Sequence, residues 1–342
     1  MRQDEWDEFQ HNWYRVSAVL ALLTNSILVH LVLCHSPKSL GTYKYLMVCI
    51  CIFEVVYESL DLAASPDMYT KDSAFLVVVS DKKSPFPAAT LLIINLSYCA
   101  CFGISLAIFA VHFVYRYLVI IGHKEWIRRS LRNIVFWLVA PLIFGGAWVL
   151  TARVFISPEP FLDDVLRKEM ISQYGMGVES IAYVGPYFYP TDRNGTKMAN
   201  WKAIHGMILF VVMIVTSLFT MVYFGLKSYV AINSAVPRLS QSVRFKSLQS
   251  QLLYALILQT IIPLTLMHVP ISICFLIPYF EYSKEVFGRF LTISIAVYPV
   301  LDPLPNMFLI KDYRNVLKKR MSIIMAVPTE VSTLTFRGTT HA

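Results

Sequence analysis

Charged side chains are scarce in this sequence. They make up 15% of its 342 residues, whereas apolar side chains make up 56%. Soluble domains usually have about 25% charged and about 45–50% apolar residues. A single soluble core of this length does not require such an excess of apolar side chains. The composition therefore predicts an integral membrane protein and excludes an ordinary soluble domain.

Several signatures of catalysis and metal binding are also missing. The sequence has no glycine-rich phosphate loop, zinc motif or nucleophile elbow. Its six cysteines lie within or beside apolar runs and lack the spacing of metal ligands or of a disulfide framework. We therefore expect no enzyme activity, no cofactor and no metal site.

Seven stretches are long enough to cross a membrane as helices, which takes about 20 mostly apolar residues each. The predicted spans are 16–34, 45–64, 88–116, 133–153, 203–226, 250–278 and 290–310. We predict an all-α, polytopic membrane protein with a seven-transmembrane helix bundle, built as one domain over residues 1–342 with a tail at 311–342. The run Ala74–Val79 is too short to cross and is predicted to form a strand in a loop.

The distribution of basic residues predicts the orientation of the bundle. Of the 30 Lys and Arg residues, 17 lie in the loops and tail of one side, with three acidic residues beside them. The positive-inside rule therefore places the N-terminus outside and the C-terminus in the cytoplasm. The sequon Asn194–Thr196 lies in the long loop on the predicted outer side, so Asn194 is a candidate glycosylation site. A second sequon begins at Asn95, but it falls inside the third predicted helix.

The second span contains three acidic residues, Glu54, Glu58 and Asp61, at positions that share one helix face. An ionised carboxylate at the centre of a bilayer costs roughly 2.5–3.5 kcal/mol, so this face is expected to point into the bundle. Together with Tyr57, these residues are candidates for a ligand pocket. The pattern leaves a second interpretation open, in which the acids form a structural network between helices.

Proline residues predict bends in the last two spans. In the segment that begins at Tyr298, Pro299 and Pro303 flank Asp302, and a buried acid at a bend is well placed to change partners between two conformations. The sixth span has three prolines that predict kinks: Pro263, Pro270 and Pro278.

The third span ends with Tyr115 and Arg116 after a long charge-free run. The residues alone favour an interfacial anchor, because Arg and Tyr both prefer the membrane–water interface. After the last span, basic and apolar residues follow a pattern typical of a short helix lying on an anionic membrane surface.

Six segments, in order along the chain, resemble the nematode serpentine chemoreceptors of the Str-type class, the group of the olfactory receptor for diacetyl. They are Leu40–Leu46 (LGTYKYL), His112–Tyr117 (HFVYRY), Ile181–Val184 (IAYV), Leu258–Pro263 (LQTIIP), Leu301–Leu304 (LDPL) and Asp312–Arg314 (DYR). The resemblance covers essentially the whole chain.

The resemblance implies a G-protein-coupled chemosensory receptor of the plasma membrane, carried to sensory cilia. Such a receptor binds a small odorant or soluble cue and activates a heterotrimeric G protein. The candidates for switching and coupling are then Tyr115, Arg116, Tyr298, Asp302 and Pro303. Two departures from rhodopsin-like receptors are visible: Tyr115 stands where those receptors usually carry an acid, and the outer loop lacks the cysteine that pairs with the third helix.

Other function classes remain open at this point. A ligand-gated ion channel or a proton-coupled transporter could use the acidic stripe of the second span, and a membrane scaffold without a ligand is a third possibility. Nucleic acid is not expected as a partner despite a net charge of +8, because the basic residues cluster in loops on one side of the membrane.

Overall fold

The computed structural model describes residues 3–127, 130–160, 162–164, 166–167, 177–191, 195–234, 243–282 and 285–326. Most of them are helical. The principal helices are α1 (Gln3–His35), α2 (Tyr43–Ala64), α3 (Ala88–Ile121), α4 (Leu131–Phe155), α5 (Trp201–Ser234), α6 (starting with Val243–Pro263), α7 (starting with Glu285–Leu301) and α8 (Lys311–Ala326).

Six of these helices are long and apolar enough to cross a membrane, namely α1, α3, α4, α5, α6 and α7. They correspond to six of the seven predicted spans. The remaining predicted span, 45–64, corresponds to α2, which has 22 residues and would reach across a hydrocarbon core of about 30 Å. Helix α2 differs from those six helices in carrying three acids, Glu54, Glu58 and Asp61, within the stretch that would lie in the membrane.

Several helices extend beyond the predicted spans. The first begins at Gln3 rather than near residue 16, because its polar first turns pack on other parts of the protein. In that region Gln10 Nε2 donates a hydrogen bond to the Pro66 carbonyl oxygen at 2.9 Å, and Trp6 is buried. Hydropathy alone did not reveal this extension, since these residues are not apolar enough to enter a membrane.

A three-stranded antiparallel sheet accompanies the helices, in the order β1 (Asp67–Lys71), β2 (Ala74–Ser80), β3 (Ile181–Val184). The predicted strand at Ala74–Val79 is therefore confirmed as β2, which is buried along its whole length. Strands β1 and β3 were not predicted from the sequence, because β1 is polar and β3 is short. We call the end of the bundle that carries this sheet the sheet end, and the end near α8 the tail end.

The sheet lies directly against α7. A Cβ atom added at Gly288 would come within 1.9 Å of the Met68 carbonyl oxygen, so only glycine allows this contact between α7 and β1. The sheet therefore forms a cap, which we call the sheet cap, over the bundle.

Small residues also bring α3 and α4 together. A Cβ added at Gly145 would lie 2.3 Å from Ile104 Cγ1, and one added at Gly103 would lie 2.8 Å from Trp148 Cβ. Close helix approach at small residues is the usual way in which membrane helices associate, since lipid offers no hydrophobic driving force between them.

The predicted irregularities in α6 and α7 are confirmed. A π-helical turn, Leu264–His268, follows Pro263 directly, and α6 continues as Val269–Leu276 and a 3-10 turn Ile277–Phe280. The seventh helix breaks after Leu301 and resumes as Leu304–Leu309. Proline removes a backbone donor and its ring clashes with the preceding turn, which accounts for these interruptions.

Candidate functional site

A small cavity of about 40 Å³ lies between the sheet cap and the helices. Such a volume holds only a few water molecules, since one water needs roughly 10–15 Å³ by this kind of measure. The residues that line it come from α2, β1, β2, α3, α4 and α6: Tyr57, Met68, Phe75, Val77, Tyr98, Cys99, Phe102, Trp148, Ile271 and Phe275.

Aromatic rings dominate the walls of this cavity. Phe75 of β2 meets Phe275 of α6 edge to face, with ring centroids 5.0 Å apart. On the opposite side, the ring of Phe102 lies 5.0 Å from that of Trp148. Pairs at these distances are the favourable arrangements of aromatic side chains. The cavity therefore offers apolar contact surface on several sides.

Two tyrosine hydroxyl groups supply polarity at the cavity. The hydroxyl of Tyr98 is buried beside the Asp61 carboxyl and the Tyr57 hydroxyl, but it makes no hydrogen bond of good geometry within the described residues. The hydroxyl of Tyr57 lies beside the Tyr98 hydroxyl and donates to the sulfur of Met267 at 3.5 Å, and a thioether is a weak acceptor. A buried donor without a strong acceptor has lost its bonds to water, so a ligand with an acceptor atom would gain from meeting it.

The sequence-predicted pocket residues divide into two groups. Tyr57 lines the cavity, whereas Glu54, Glu58 and Asp61 are not among its lining residues. All three acids are at most 2% exposed, as expected for a face that points into the bundle. Within the described part of the chain their carboxylate oxygens make no hydrogen bond of good geometry. The polar side chains beside them are Asp302 at Glu54, Ser17 at Glu58 and Tyr98 at Asp61.

Asp302 belongs to a polar network at the break in α7. Gln259 of α6 donates a hydrogen bond from Nε2 to Asp302 Oδ2 at 2.5 Å, and Asn306 donates from Nδ2 to Gln259 Oε1 at 2.8 Å. On the other side of Asp302 lie the Glu54 carboxyl and, next to that, Asn25 of α1. This network ties α6 to α7 at the point where Pro303 interrupts the helix.

Near this network, Tyr298 is buried, and its ring centroid lies 5.7 Å from that of Tyr57. Its hydroxyl oxygen has no hydrogen-bond partner among the residues described. Tyr57 therefore contacts both the cavity under the sheet cap and the α7 region that contains Asp302.

Arg116 lies inside the tail end of the bundle rather than at its surface. Its side chain is 1% exposed, which differs from the interfacial anchor that the residues alone favoured. Nη2 donates to Gln249 Oε1 on α6 at 2.5 Å, and the guanidinium carbon lies 4.9 Å from the centre of the Tyr43 ring. The ring of Tyr115 stacks on Tyr43 at 5.8 Å and meets Trp137 edge to face at 5.5 Å.

A single asparagine attaches the sheet cap to α3. Asn95 is fully buried, and its Nδ2 donates to the carbonyl oxygens of Val77 on β2 at 2.7 Å and of Ala182 on β3 at 3.2 Å. The bond to Ala182 connects the loop between α4 and α5 to the third helix, which is the connection that the missing disulfide makes in rhodopsin-like receptors. In the sequence, an amide side chain inside an otherwise apolar span was the feature that could have predicted this attachment.

An ion-pair cluster fixes the first strand of the cap. Lys83 Nζ lies 2.7 Å from Asp67 Oδ2 on β1 and 2.7 Å from Asp7 Oδ1 on α1. Burial lowers the pKa of Lys83, but the two carboxylates outweigh burial and the pKa is raised overall. Burial raises the pKa of the Asp67 carboxyl, and Lys83 offsets this only in part. The cluster ties the extended start of α1 to the sheet cap.

Two predicted features fall outside the described residues. Asn194, the candidate glycosylation site, is one of them, and the last part of the tail, residues 327–342, is the other. The described part of the tail, Lys311–Ala326, is helical, and its Tyr313 hydroxyl lies 2.6 Å from Ser36 Oγ beyond the end of α1.

Comparison with known proteins identifies similar chains. Residues 10–318 match the family described as serpentine type 7TM GPCR chemoreceptor Str. The G-protein coupled receptor str-217 of Caenorhabditis elegans is 34% identical over 307 residues, which cover 90% of this chain and 88% of that protein.

Two further similar proteins of the same nematode are more distant. Serpentine receptor class r-10 is 26% identical over 88% of this chain and 87% of its own length. The G-protein coupled receptor str-33 is 24% identical over 86% of this chain and 85% of its own length. These matches favour a receptor over an ion channel or a transporter.

Proposed function

Because this chain belongs to the Str family of serpentine seven-transmembrane chemoreceptors, it is a G-protein-coupled chemosensory receptor, and we propose that its ligand is a small, uncharged, mostly apolar molecule. The observation that carries this proposal is the lining of the cavity under the sheet cap. Ten side chains line it, none of them is charged, and six are aromatic. An ionic ligand would lose its hydration there without gaining a partner of opposite charge.

One acceptor atom on the ligand would complete the site. The Tyr98 hydroxyl, which makes no hydrogen bond of good geometry among the described residues, would donate to it. Ligands with a carbonyl or ether oxygen on a short apolar skeleton therefore fit better than plain hydrocarbons. Glu54 would then serve the network around Asp302, whereas Asp61 would lie behind the Tyr98 hydroxyl, outside the lining of the cavity.

The cavity is smaller than such a ligand. Pockets for small molecules usually measure about 300–1,000 Å³, far more than the space under the sheet cap. We propose that the ligand selects a wider arrangement of the bundle, in which the sheet cap and α6 stand further from α3. It shifts the equilibrium toward that arrangement only by the difference between its affinities for the two.

The wider arrangement would be transmitted to the tail end through α6. The π-helical turn and the break in α7 interrupt the regular hydrogen bonds of both helices between the cavity and Gln249. Movement of α6 would separate Gln249 from Arg116 and expose the inner ends of the helices to a Gα subunit. Tyr115, Tyr298, Asp302 and Pro303 would then act as positioning residues of this switch.

We further propose that α2 is the seventh span, that the sheet end faces outside and that the tail end faces the cytoplasm. The bias of Lys and Arg toward the loops and tail of one side supports this orientation. The receptor would then lie in the plasma membrane of sensory cilia, with Asn194 available for glycosylation.

A calcium assay tests the ligand class. Cells that express the full chain with a promiscuous Gα and a calcium reporter receive matched panels of neutral, cationic and anionic small molecules. We expect responses to be confined to the neutral panel. Responses confined to charged compounds would contradict the proposal.

A pair of phenylalanine variants tests the position of the site. Phe275→Ala enlarges the cavity and should shift the preferred ligands toward larger members of the panel. Phe280→Ala removes the same side chain from a site near the end of α6 that is 73% exposed, and it should leave the ranking of ligands unchanged. Equal effects of the two changes would show that the ligand binds elsewhere.

An epitope placed after Ala342 tests the orientation. On intact cells, an antibody should reach it only after permeabilisation. Labelling of unpermeabilised cells would overturn the proposed orientation.

A further inference from the structure

We propose that a second cavity, at the tail end where α1 is followed by α2, binds the phosphorylated headgroup of an anionic membrane lipid. This cavity measures about 410 Å³, within the range of roughly 300–1,000 Å³ that is usual for small-molecule sites. It shares no residue with the cavity under the sheet cap. The proposal rests on the orientation given above, because anionic lipids are concentrated in the cytoplasmic leaflet.

The charged side chains of this cavity are all basic. Lys38 and Lys44 line it, and there is no acidic side chain among its lining residues. The ammonium group of Lys44 lies 5.1 Å from the centre of the Tyr45 ring, which holds it beside the cavity. Two ammonium groups without a competing carboxylate favour a phosphate group, because each supplies both a positive charge and hydrogen-bond donors.

The backbone adds to this preference. Gly41 has a φ angle of +60°, and no atom would lie within 4 Å of a Cβ added there, so the chain is uncovered at this point. Thr42 follows it at the start of α2 and makes no capping hydrogen bond with its side chain. The Tyr45 N–H donates to the Thr42 carbonyl oxygen at 3.0 Å. The N–H groups of Tyr43 and Lys44 are therefore the ones at this helix start that an anion could bind, and the helix dipole favours an anion there.

The apolar part of the lining points to a lipid rather than to a soluble phosphate. Leu33, near the end of the membrane-spanning α1, is 51% exposed and lines the same cavity, as does the half-buried Ile127. An acyl chain could therefore run along α1 in the bilayer while its headgroup meets the lysines. A soluble phosphate would leave this apolar surface without a partner.

Binding of fluorescent phosphatidylinositol bisphosphate to the full-length receptor in phosphatidylcholine nanodiscs tests the proposal. Nanodiscs expose both faces of the membrane, and the assay requires no odorant, so its outcome is independent of the ligand-binding proposal. The double change of Lys38→Ala and Lys44→Ala should weaken binding about a hundredfold, since each charge-assisted contact to the phosphate contributes about tenfold. Arginine at both positions should preserve binding.

A matched control removes two exposed lysines of α8 that do not line the cavity, by Lys318→Ala and Lys319→Ala. We expect a loss of less than fivefold. Equal losses in the two double variants would show diffuse attraction to the membrane and overturn the site. If free inositol trisphosphate bound equally tightly, the cavity would be a site for a soluble phosphate, and the proposal of a lipid ligand would be overturned.

Discussion

Arg116 on α3 and Gln249 on α6 are joined by two contacts of one guanidinium nitrogen. Nη2 lies 2.5 Å from the side-chain oxygen of Gln249 and 3.2 Å from its backbone oxygen. Both residues are buried. Because glutamine is neutral, the helices are held by a charge-assisted hydrogen bond without an ion pair, which is a weaker restraint than a carboxylate would supply. Separation of α6 from α3 would break this contact.

Two substitutions of Gln249 should change the basal activity in opposite directions. Gln249→Ala removes a buried charge-assisted bond of about 1.5–3 kcal/mol, so we expect the ratio of active to inactive receptor to rise about tenfold or more. Gln249→Glu adds an ion pair and should lower basal activity. Calcium signalling without ligand, at matched surface expression, measures the basal activity of both variants. A rise in both would refute the proposal that the contact between Arg116 and Gln249 restrains the inactive receptor.

Arg116→Ala should abolish the ligand response while the receptor still reaches the cell surface. In the proposed switch the guanidinium becomes a contact for Gα once Gln249 has moved away, and alanine supplies neither charge nor donors. Arg116→Lys should restore only part of the response, because lysine lacks the planar fork of arginine. A normal calcium response in the alanine variant would exclude the role of Arg116 in coupling.

Asn95→Leu should loosen the sheet cap without preventing insertion into the membrane. Leucine keeps much of the volume but removes both donors to β2 and β3, at an expected cost of about 1–3 kcal/mol. Thermal unfolding of the purified receptor and protease sensitivity of the outer loop measure this. Ser97→Ala is the control, since Ser97 lies two residues away and its hydroxyl bonds only within α3. Equal destabilisation by both changes would mean that the attachment has no special role.

Gly145→Ala and Gly146→Ala should differ although they are neighbours. A methyl group at 145 would collide with Ile104, which costs about 1–3 kcal/mol. At 146 nothing lies within 4 Å, so the gain in helix propensity, about 1 kcal/mol, should leave stability unchanged or slightly higher. Melting temperatures of the two purified variants test this difference.

Lys83→Met should weaken the sheet cap, since it leaves Asp67 buried without its cation. The loss of unfolding free energy caused by Lys83→Met should be smaller in a chain that already carries Asp67→Asn. The double-mutant cycle of unfolding free energies measures this coupling between the two residues. Because the pKa of Lys83 is raised, its contribution is complete below the ordinary lysine pKa and is lost as the pH rises through the raised value. Additive effects of the two changes would argue against the pair.

The sequence revealed some parts of the site and not others, for physical reasons. Burial of the α2 acids followed from the cost of charge in lipid, and the interruptions of α6 and α7 followed from proline geometry. The partner of Arg116 could not be predicted, because Gln249 lies 133 positions away along the chain. The cavity under the sheet cap also escaped prediction, since its walls come from six elements and its aromatic residues resemble ordinary core.

Composition, hydropathy and a few short motifs were sufficient for the membrane location, the helical bundle and the receptor family, because each depends on the residue types present and on their order. The sheet cap, the Asn95 attachment, the burial of Arg116 and the two cavities depend on contacts between distant segments. Such contacts form only when the helices have packed, and local sequence patterns do not indicate which distant side chains will be in contact.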